Sequence, residues 1–596
     1  MLKFSPNRIC LLIINLLLLV NLATGQNTNI NYSQILIQNE DEEALPYASV
    51  SFSGTSKGTI SNEDGYFLLD TTNAVSDTLI ISYIGYLKKI IRIKEALSDK
   101  QIILKEAEYS LSEIEIISDK EDYAFSLIKR IIKRYRKLNN VAETKAFLNL
   151  QTHINQPLEV FEAFYNAKVS PKDGLVKIYL KNGRAGLLEK DNFTFVSLNT
   201  TDILCDFSPF KKNPVQKLPF APTNLGLQLL KIRYDIKLES VIVVDNAKTA
   251  VITLVPKLET DKYFTGTYYI DINNNYLQKA VLKSDNSNSV FLKSIQDSVT
   301  IDSLNISLEL NYTPNSTTLE SMIYNYSFSL SSIPNERISS KALVALYDQG
   351  SPFSLPVSKP IKLSFDYQRI LSYPYSDLFW QNHYYIPSSR KDIDYTTFFK
   401  ENGYLINHDS ICTSSPYIES PYLAWNENIR LRWCDIIEEP KQSVYEMDDG
   451  YIQITIQNQY NQLVSCHIFL DYEVVNEKIK YTSRTTIDRS MPYLAELYHD
   501  LNTLVYLNIY FDMNEVFRRK LLQELNSKGK ISRDEIINNY ERKIGNLTDT
   551  LYLITNETKK GFNFEKLKKW NKFIEEKLGI NNIELFGLKP VSIKEN

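Results

Sequence analysis

Leu501-Asn-Thr-Leu-Val-Tyr-Leu-Asn-Ile-Tyr-Phe-Asp-Met-Asn-Glu-Val-Phe-Arg-Arg-Lys-Leu-Leu-Gln-Glu-Leu525 is the stretch from which the C-terminal part of the chain is read. It contains neither Gly nor Pro, and its second half is rich in strong helix formers, so it predicts a helix. From Leu504 to Met513 it is apolar nearly all round, the pattern of a helix buried in a core. Beyond Glu515 come Arg518, Arg519, Lys520 and Glu524, so the second half is expected to emerge into water.

Within it, Phe511-Asp512-Met513-x-Glu515-x-x-x-Arg519 resembles part of the active-site helix of a family of bacterial secreted zinc-dependent proteases. In that family a His-Glu-x-x-His run stands directly before the Phe-Asp pair. Its two His share a helix face and hold zinc, while the Glu acts as general base. Here the matching residues are Tyr506-Leu507-Asn508-Ile509-Tyr510. A phenol with a pKa of about 10 is a poor zinc ligand at neutral pH, and Leu507 cannot move a proton. Trp425-Asn-Glu-Asn-Ile-Arg-Leu-Arg-Trp433-Cys-Asp435 resembles the paired-Trp opening of the family, and Thr485-Thr-Ile-Asp-Arg-Ser490 its strand before the helix. Thr555-Asn-Glu-Thr558-Lys559-Lys560-Gly561, followed by Trp570, resembles an Asp-x-x-Thr-x-His-Gly run, with Thr555 at the Asp position and Lys560 at the His position. The resemblance therefore implies a zincin-like scaffold whose ligand and base positions have been replaced.

The chain has 596 residues, too many for one core, which predicts three or four domains. A hydrophobic share of 43% with 23% charged residues is ordinary for globular protein. The formal net charge of -4 and the dispersed basic residues give no electrostatic case for nucleic acid. The 39 Tyr and 27 Phe against 18 Gly favour strand.

Residues 1–25 read as a secretory signal peptide: Lys3 and Arg8, then the apolar run Ile9 to Val20, then the small-residue site Ala23-Thr-Gly25. An uncleaved anchor is the alternative, for which the apolar run is short. Cys10 precedes most of that run and is not placed as a lipid acceptor. The four later cysteines, Cys205, Cys412, Cys434 and Cys466, match no zinc spacing. Cys412 and Cys434 can pair in an oxidising compartment, and buried free thiols are the alternative.

Residues 31–118 carry short alternating runs with turn signals between them: Ala48 to Ser53, Gly58 to Phe67, and Asp77 to Tyr86. They read as a small β-sandwich in which Asn62-Glu-Asp-Gly65 is a turn and Asp64 caps the backbone. A calcium-ligand reading of Asp64 is the alternative. The order Pro46-x-Ala-x-Val, Gly58-Thr-x-Ser-x-x-Asp-Gly-x-Phe, Ser82-Tyr-Ile-Gly-Tyr resembles the carboxypeptidase regulatory-like domain, a transthyretin-like sandwich. That resemblance implies no peptidase activity, and in Gram-negative envelope proteins such domains precede surface modules.

Residues 121–140 form an amphipathic connecting helix, with Ala124, Leu127, Ile128, Ile131, Ile132, Tyr135 and Leu138 opposite Lys129, Arg130, Lys133, Arg134 and Arg136. It docks on the next domain or lies on a membrane surface. Residues 145–365 read as an antiparallel β domain, with Asn273-Asn-Asn275 as a hairpin turn. Ile270-Asp-Ile-x-x-x-Tyr-x-x-x-Ala-Val resembles the hairpin of envelope lipoprotein-carrier half-barrels. A half-barrel holds an acyl chain, whereas a sheet packed on its own helices needs no ligand. Residues 366–420 are aromatic and irregular and are expected to pack between domains, with peptide or carbohydrate binding as the alternative. Residues 421–580 are the degenerate metalloprotease-like domain, with further helices over 533–545 and 564–578, the first opened by the capping box Ser532-Arg-Asp-Glu535.

The five histidines, His153, His383, His408, His467 and His499, are far apart in sequence. Glu496-x-x-His499 has a metal-like spacing, and Asp512 with Glu515 share a helix face, so His499, Asp512 and Glu515 are the metal candidates. Ion pairing of the two carboxylates with Arg518 or Arg519 is the simpler account. No nucleophile elbow or phosphate-binding glycine loop is found, and no cofactor is expected.

The sequence thus predicts a multi-domain, β-rich α+β protein: an N-terminal β-sandwich, a central antiparallel β domain and a C-terminal zincin-like domain. The expected role is non-catalytic binding or scaffolding in the periplasm or at the outer membrane, with an envelope protein, peptide or glycan as partner and peripheral membrane association as an option. The alternatives are a metal-dependent hydrolase and a lipid or lipoprotein carrier.

Overall fold

The computed structural model describes residues 32–589 apart from 56, 71–75, 111–119, 191–192, 195–198, 245–246, 259–260, 288–300, 332, 359–365, 384–385, 409–421, 437–443, 447–451, 455–464, 476–477 and 489–498. The expected signal peptide, Cys412 and Glu496 lie outside the described residues. The protein is β-rich, multi-domain α+β.

The first unit contains β1 (Tyr32–Asn39), β2 (Ser49–Phe52), β3 (Gly58–Ile60), β4 (Tyr66–Asp70), β5 (Thr78–Ser82), β6 (Lys89–Arg92), α1 (Ile93–Asp99) and β7 (Gln101–Leu104). Sheets of order β4-β1-β7 and β3-β2-β5-β6 enclose Ile35, Ile37, Phe67, Leu79, Ile81 and Ile102, each fully buried. The alternation of β1 and β5 aims these side chains inward. The turn before β4 is held differently from the expectation. Asn62 Oδ1, not Asp64, accepts from the backbone N–H groups of Asp64 and Tyr66, at 3.0 and 2.8 Å. Asp64 points across to another unit and accepts from the Arg390 N–H at 2.7 Å. Gly65, at φ +79°, is required because a Cβ would lie 2.6 Å from the Ile37 carbonyl oxygen.

The chain then enters one 12-stranded sheet. Its members in chain order begin with β8 (Glu108–Ser110), α2 (Lys120–Lys137), β9 (Ala142–Ile154), β10 (Gln156–Ser170) and β11 (Gly174–Leu187). After a two-residue pair, β12 (Glu189–Lys190) and β13 (Phe193–Thr194), come α3 (Thr200–Asp206) and α4 (Leu227–Arg233). The sheet resumes with β14 (Tyr234–Val244), β15 (Ala247–Pro256), β16 (Thr265–Asp271), β17 (Leu277–Ser287), β18 (Ile301–Tyr312), β19 (Leu319–Leu330) and β20 (Ile333–Tyr347). Three short helices follow, α5 (Asp366–Leu371), α6 (Asp377–Asn382) and α7 (Arg390–Asn402), then β21 (Tyr404–Ile406). The sheet order is β21-β11-β10-β9-β20-β19-β18-β17-β16-β15-β14-β8, so the two connecting segments supply its two edges.

Period-two alternation sorts this sheet's residues between two layers. Ala146, Leu148, Leu150, Tyr324, Tyr326, Ala342 and Val344 face a core shared with α2 and with the 203–230 region. Their neighbours Phe147, Phe164, Ile323, Leu343 and Ala345 face the opposite way, onto Phe353, Phe379, Trp380 and Ile60 of the sandwich. The helix α2 buries Ala124, Leu127, Ile128, Ile131, Ile132 and Tyr135 against the sheet. Part of its basic face is engaged as well. Arg136 donates to the carbonyls of Phe210, Thr223 and Leu225 at 2.7–3.0 Å, and Arg134 donates to Asn274 at 2.7 Å. This is the docked arrangement, not a helix with a free apolar face.

Within residues 145–365, α3, α4 and the segment between them interrupt the run of strands and cover the antiparallel sheet. One expectation is corrected here. Residues 366–420 are not irregular throughout: their aromatics Phe379 and Trp380 lie on α6, buried on the sheet, and Tyr404–Ile406 pairs with β11.

The last unit contains β22 (Tyr422–Ala424), the pair β23 (Val444–Glu446) and β24 (Ile452–Ile454), β25 (Ser465–Val475), β26 (Lys478–Asp488), α8 (Leu501–Ser527), α9 (Arg533–Thr558), α10 (Phe564–Leu578) and α11 (Asn582–Leu585). The sheet β22-β26-β25 and helices α9 to α11 surround α8. Thirteen residues between Thr503 and Val516 on α8 are buried, among them Val505, Leu507, Ile509, Phe511 and Met513 at 0% exposure. The helix α9 runs well past the expected end near 545, because Leu547, Leu551 and Ile554 continue its buried stripe.

Candidate functional site

Asp500 caps α8, its carboxylate accepting from the Thr503 N–H at 2.9 Å and the Thr503 hydroxyl at 2.8 Å. Helical spacing then divides the polar residues of the helix into two groups. Asn508, Asp512 and Glu515 face the 425–431 segment and β26, whereas Tyr506 bonds with α9.

Each member of the first group is satisfied. The Asn508 amide bonds the Leu431 backbone in both directions, at 2.9 and 3.0 Å, as a neighbouring strand would. Asp512 accepts from Trp425 Nε1 at 2.7 Å, Arg430 at 2.8 and 3.0 Å, and Asn582 Nδ2 at 2.7 Å. Burial pushes the Asp512 carboxyl above its ordinary range even with Arg430 against it. Glu515 accepts from Thr485 at 2.9 Å, Arg518 at 2.7 and 2.6 Å, and Arg519 at 2.9 Å. Burial raises the Glu515 carboxyl, but the hydrogen bonds and charge of Arg518, with Arg519 and Thr485, bring it below the usual range. Helical spacing offers Arg518 or Arg519 as partners of the two carboxylates; Asp512 instead takes Arg430, from the segment read only as an opening motif.

In the second group, the Tyr506 hydroxyl lies 2.7 Å from Thr555 Oγ1. The rings of Tyr506 and Tyr510 stand edge to face at 6.2 Å. Cys466 of β25 is close enough to raise the pKa of both phenols electrostatically. Burial, chiefly, pushes the Tyr506 phenol up to about 12 and also raises the Tyr510 phenol and the Cys466 thiol. Leu507 is fully buried. Gly561 packs on the start of α8, where its Cβ would meet the Asn502 carbonyl oxygen at 2.4 Å. Residues 506 and 555, matched separately to the first His position and to the downstream Asp position of the protease family, therefore meet in space. Lys560 follows Lys559 in a left-handed conformation, with φ of +58° and +50°. Two neutral phenols, a leucine, a threonine and a lysine do not make a donor set for zinc.

His499 stacks on the Trp433 indole, with ring centroids 4.2 Å apart and planes 4° from parallel. Asp512 lies roughly 20 Å farther along the helix by its rise per residue. The structure does not assemble His499, Asp512 and Glu515, and no group of three or more His, Cys, Asp or Glu among the described residues is arranged to hold a metal. Among the described residues Cys205, Cys434 and Cys466 are free, and burial pushes the Cys205 thiol up to about 12.

A charged cluster with no sequence signature joins the large sheet to the last unit. Lys181 of β11 is 1% exposed and contacts Asp471 at 2.8 Å, Glu473 at 2.7 Å and the Ser354 carbonyl at 2.8 Å. Glu473 also contacts His383 Nε2 at 3.2 Å, and the His383 ring lies 4.5 Å from that of Phe379.

The fold defines a β-rich chain in which a sandwich and an α+β unit flank one wide antiparallel sheet. Residues 35–116 match the family described as CarboxypepD_reg-like domain, in agreement with the resemblance drawn from Pro46 to Tyr86. None of the curated proteins matches the chain. Among solved structures, similarity is found to a DUF1329 family protein from Desulfovibrio piger, with 10% identity, 39% of this chain and 93% of that chain covered, and a TM-score of 0.17. A LolA superfamily protein, NE2245, from Nitrosomonas europaea gives 11% identity, 40% and 96% coverage, and a TM-score of 0.17. The Pseudomonas aeruginosa MucA/MucB complex gives 9% identity, 38% and 94% coverage, and a TM-score of 0.14. No helix among the described residues is long and apolar enough to cross a membrane.

Proposed function

We propose that this chain is an exported cell-envelope protein that binds or scaffolds a partner, and that residues 421–580 are a protease-derived domain without catalysis. The observation that carries the reading is the Tyr506–Thr555 contact at 2.7 Å. It joins the first His position of the His-Glu-x-x-His run to the Asp position of the downstream run, and it does so with neutral hydroxyl groups. Leu507 stands at the base position, so neither metal activation of water nor proton transfer is available there. The hydrolase alternative needs Asp512 and Glu515 as ligands, yet both carboxylates are already engaged by Arg430, Arg518 and Arg519. The carrier alternative needs space on a face of the large sheet, yet the face toward α2 is filled by Tyr135, Phe210, Tyr268 and Tyr324 at no more than 1% exposure. Export is supported by Lys3, Arg8 and the apolar run that follows.

The test is metal content by plasma mass spectrometry after dialysis of the purified protein against trace zinc. The expected result is below ~0.1 zinc per chain, since a working site binds zinc very tightly. One zinc per chain, lost on replacing His499 or Glu515, would overturn the reading.

A further inference from the structure

Between the sandwich and the large sheet lies an open cleft of about 390 Å³. That volume is in the range of ligand-binding sites, roughly 300–1,000 Å³. One wall is the sandwich sheet, with Ser49 and Ser51 on β2 and Ser82 on β5. The opposite wall is the 313–320 hairpin between β18 and β19 together with the end of β20. Glu320 lines the cleft and accepts from the Ser49 hydroxyl at 2.6 Å through Oε1. Among the described residues no cation pairs with Glu320, and Oε2 has no hydrogen-bond donor. Asp348, which also lines the cleft, pairs with Lys145 at 2.9 Å. Lys57 and Lys88 also line the cleft; both are exposed.

We propose that this cleft binds a peptide segment and seats one of its lysine or arginine side chains against Glu320. Peptide carbonyls match the Ser hydroxyls and the two lysines, peptide N–H groups match the hydroxyl oxygens, and the basic side chain supplies the missing countercharge. A neutral glycan would meet the hydroxyls and leave the carboxylate charge uncompensated. Burial pushes the Glu320 carboxyl up, against the hydrogen bond from Ser49. The inference rests on reading the chain as a binding protein. Zinc content tests that reading at residues 421–580, and peptide titration tests the cleft, so the two can fail separately.

The experiment is calorimetric titration of the full chain with an acetylated, amidated Ser-Lys-Ser-Lys-Ser peptide, the same peptide with Gln for Lys, and cellohexaose. The basic peptide is expected to bind, and the Gln peptide to bind at least tenfold more weakly. Glu320→Gln should weaken the basic peptide by a similar factor, while Glu576→Gln, an exposed carboxylate of α10 outside the cleft, should change it less than threefold. Equal binding of both peptides, unchanged binding by Glu320→Gln, no binding of the basic peptide at millimolar concentration, or preference for cellohexaose would each overturn the proposal.

Discussion

Lys181 Nζ on the large sheet lies 2.8 Å from Asp471 of the last unit, with the lysine side chain at 0% exposure. Removing one partner of a buried ion pair leaves the others unpaired, at a cost of about 3–5 kcal/mol. Lys181→Met should therefore lower the melting temperature and speed proteolytic separation of residues after 420 from the sheet. Adding Asp471→Asn and Glu473→Gln should recover part of the loss. A variant as stable as the parent would show that the cluster does not hold the units together.

The same logic applies to Asp512 with the sign of the competing reading reversed. Asp512→Ala strands the Arg430 guanidinium and two further donors, Trp425 Nε1 and Asn582 Nδ2, so a loss of about 3–5 kcal/mol is expected, and a smaller one for Asp512→Asn. Denaturant unfolding followed by Trp425 fluorescence would report it. An unchanged midpoint with altered metal content would favour a ligand role instead.

His408 gives a pH signature. Burial, with help from Arg184, holds its pKa at about 3, below the ordinary value of 6.5. The unfolded chain then binds a proton that the folded chain does not as pH falls below 6.5, so stability is lost between 6.5 and 3. Full stability from this group is present above 6.5. His408→Phe should flatten the stability–pH curve in that window by up to about 1.4 kcal/mol per pH unit. An unaltered slope would place the ring in water.

Gly561 offers a backbone test. It sits at φ +107°, and a Cβ would lie 2.4 Å from the Asn502 oxygen. Gly561→Ala should cost ~2 kcal/mol or more and loosen the start of α8 against the end of α9. Hydrogen exchange at the first turns of α8 would reveal it as lost protection.

What the sequence made readable follows its local physics. The helix predicted over 501–525 is found over Leu501–Ser527, because helix formers and an unbroken apolar face act locally. The sandwich could be placed through its alternation and through Gly65, whose turn only glycine fits well. The end of α9 was less readable: Gly545 weakens a helix, yet no neighbour crowds it, and tertiary burial of Leu547 and Leu551 carries the helix through. The partners of Asp512 come from residues 425, 430 and 582, and Lys181 meets Asp471 across 290 positions. No spacing rule reaches so far. Tyr506 and Thr555 were found because a resemblance named them, although neither carries a periodic signal of its own.

The edges of the wide sheet have a mechanical consequence. The strands β8 and β21 come from the segments leading out of the sandwich and toward the last unit, and each is tied to the sheet by only three residue pairs. A tensile load applied through the two flanking units would thus be delivered to opposite margins of the sheet, across the grain of its strands. The two short margins would peel first and lengthen the chain, while the ten longer strands between them kept their register.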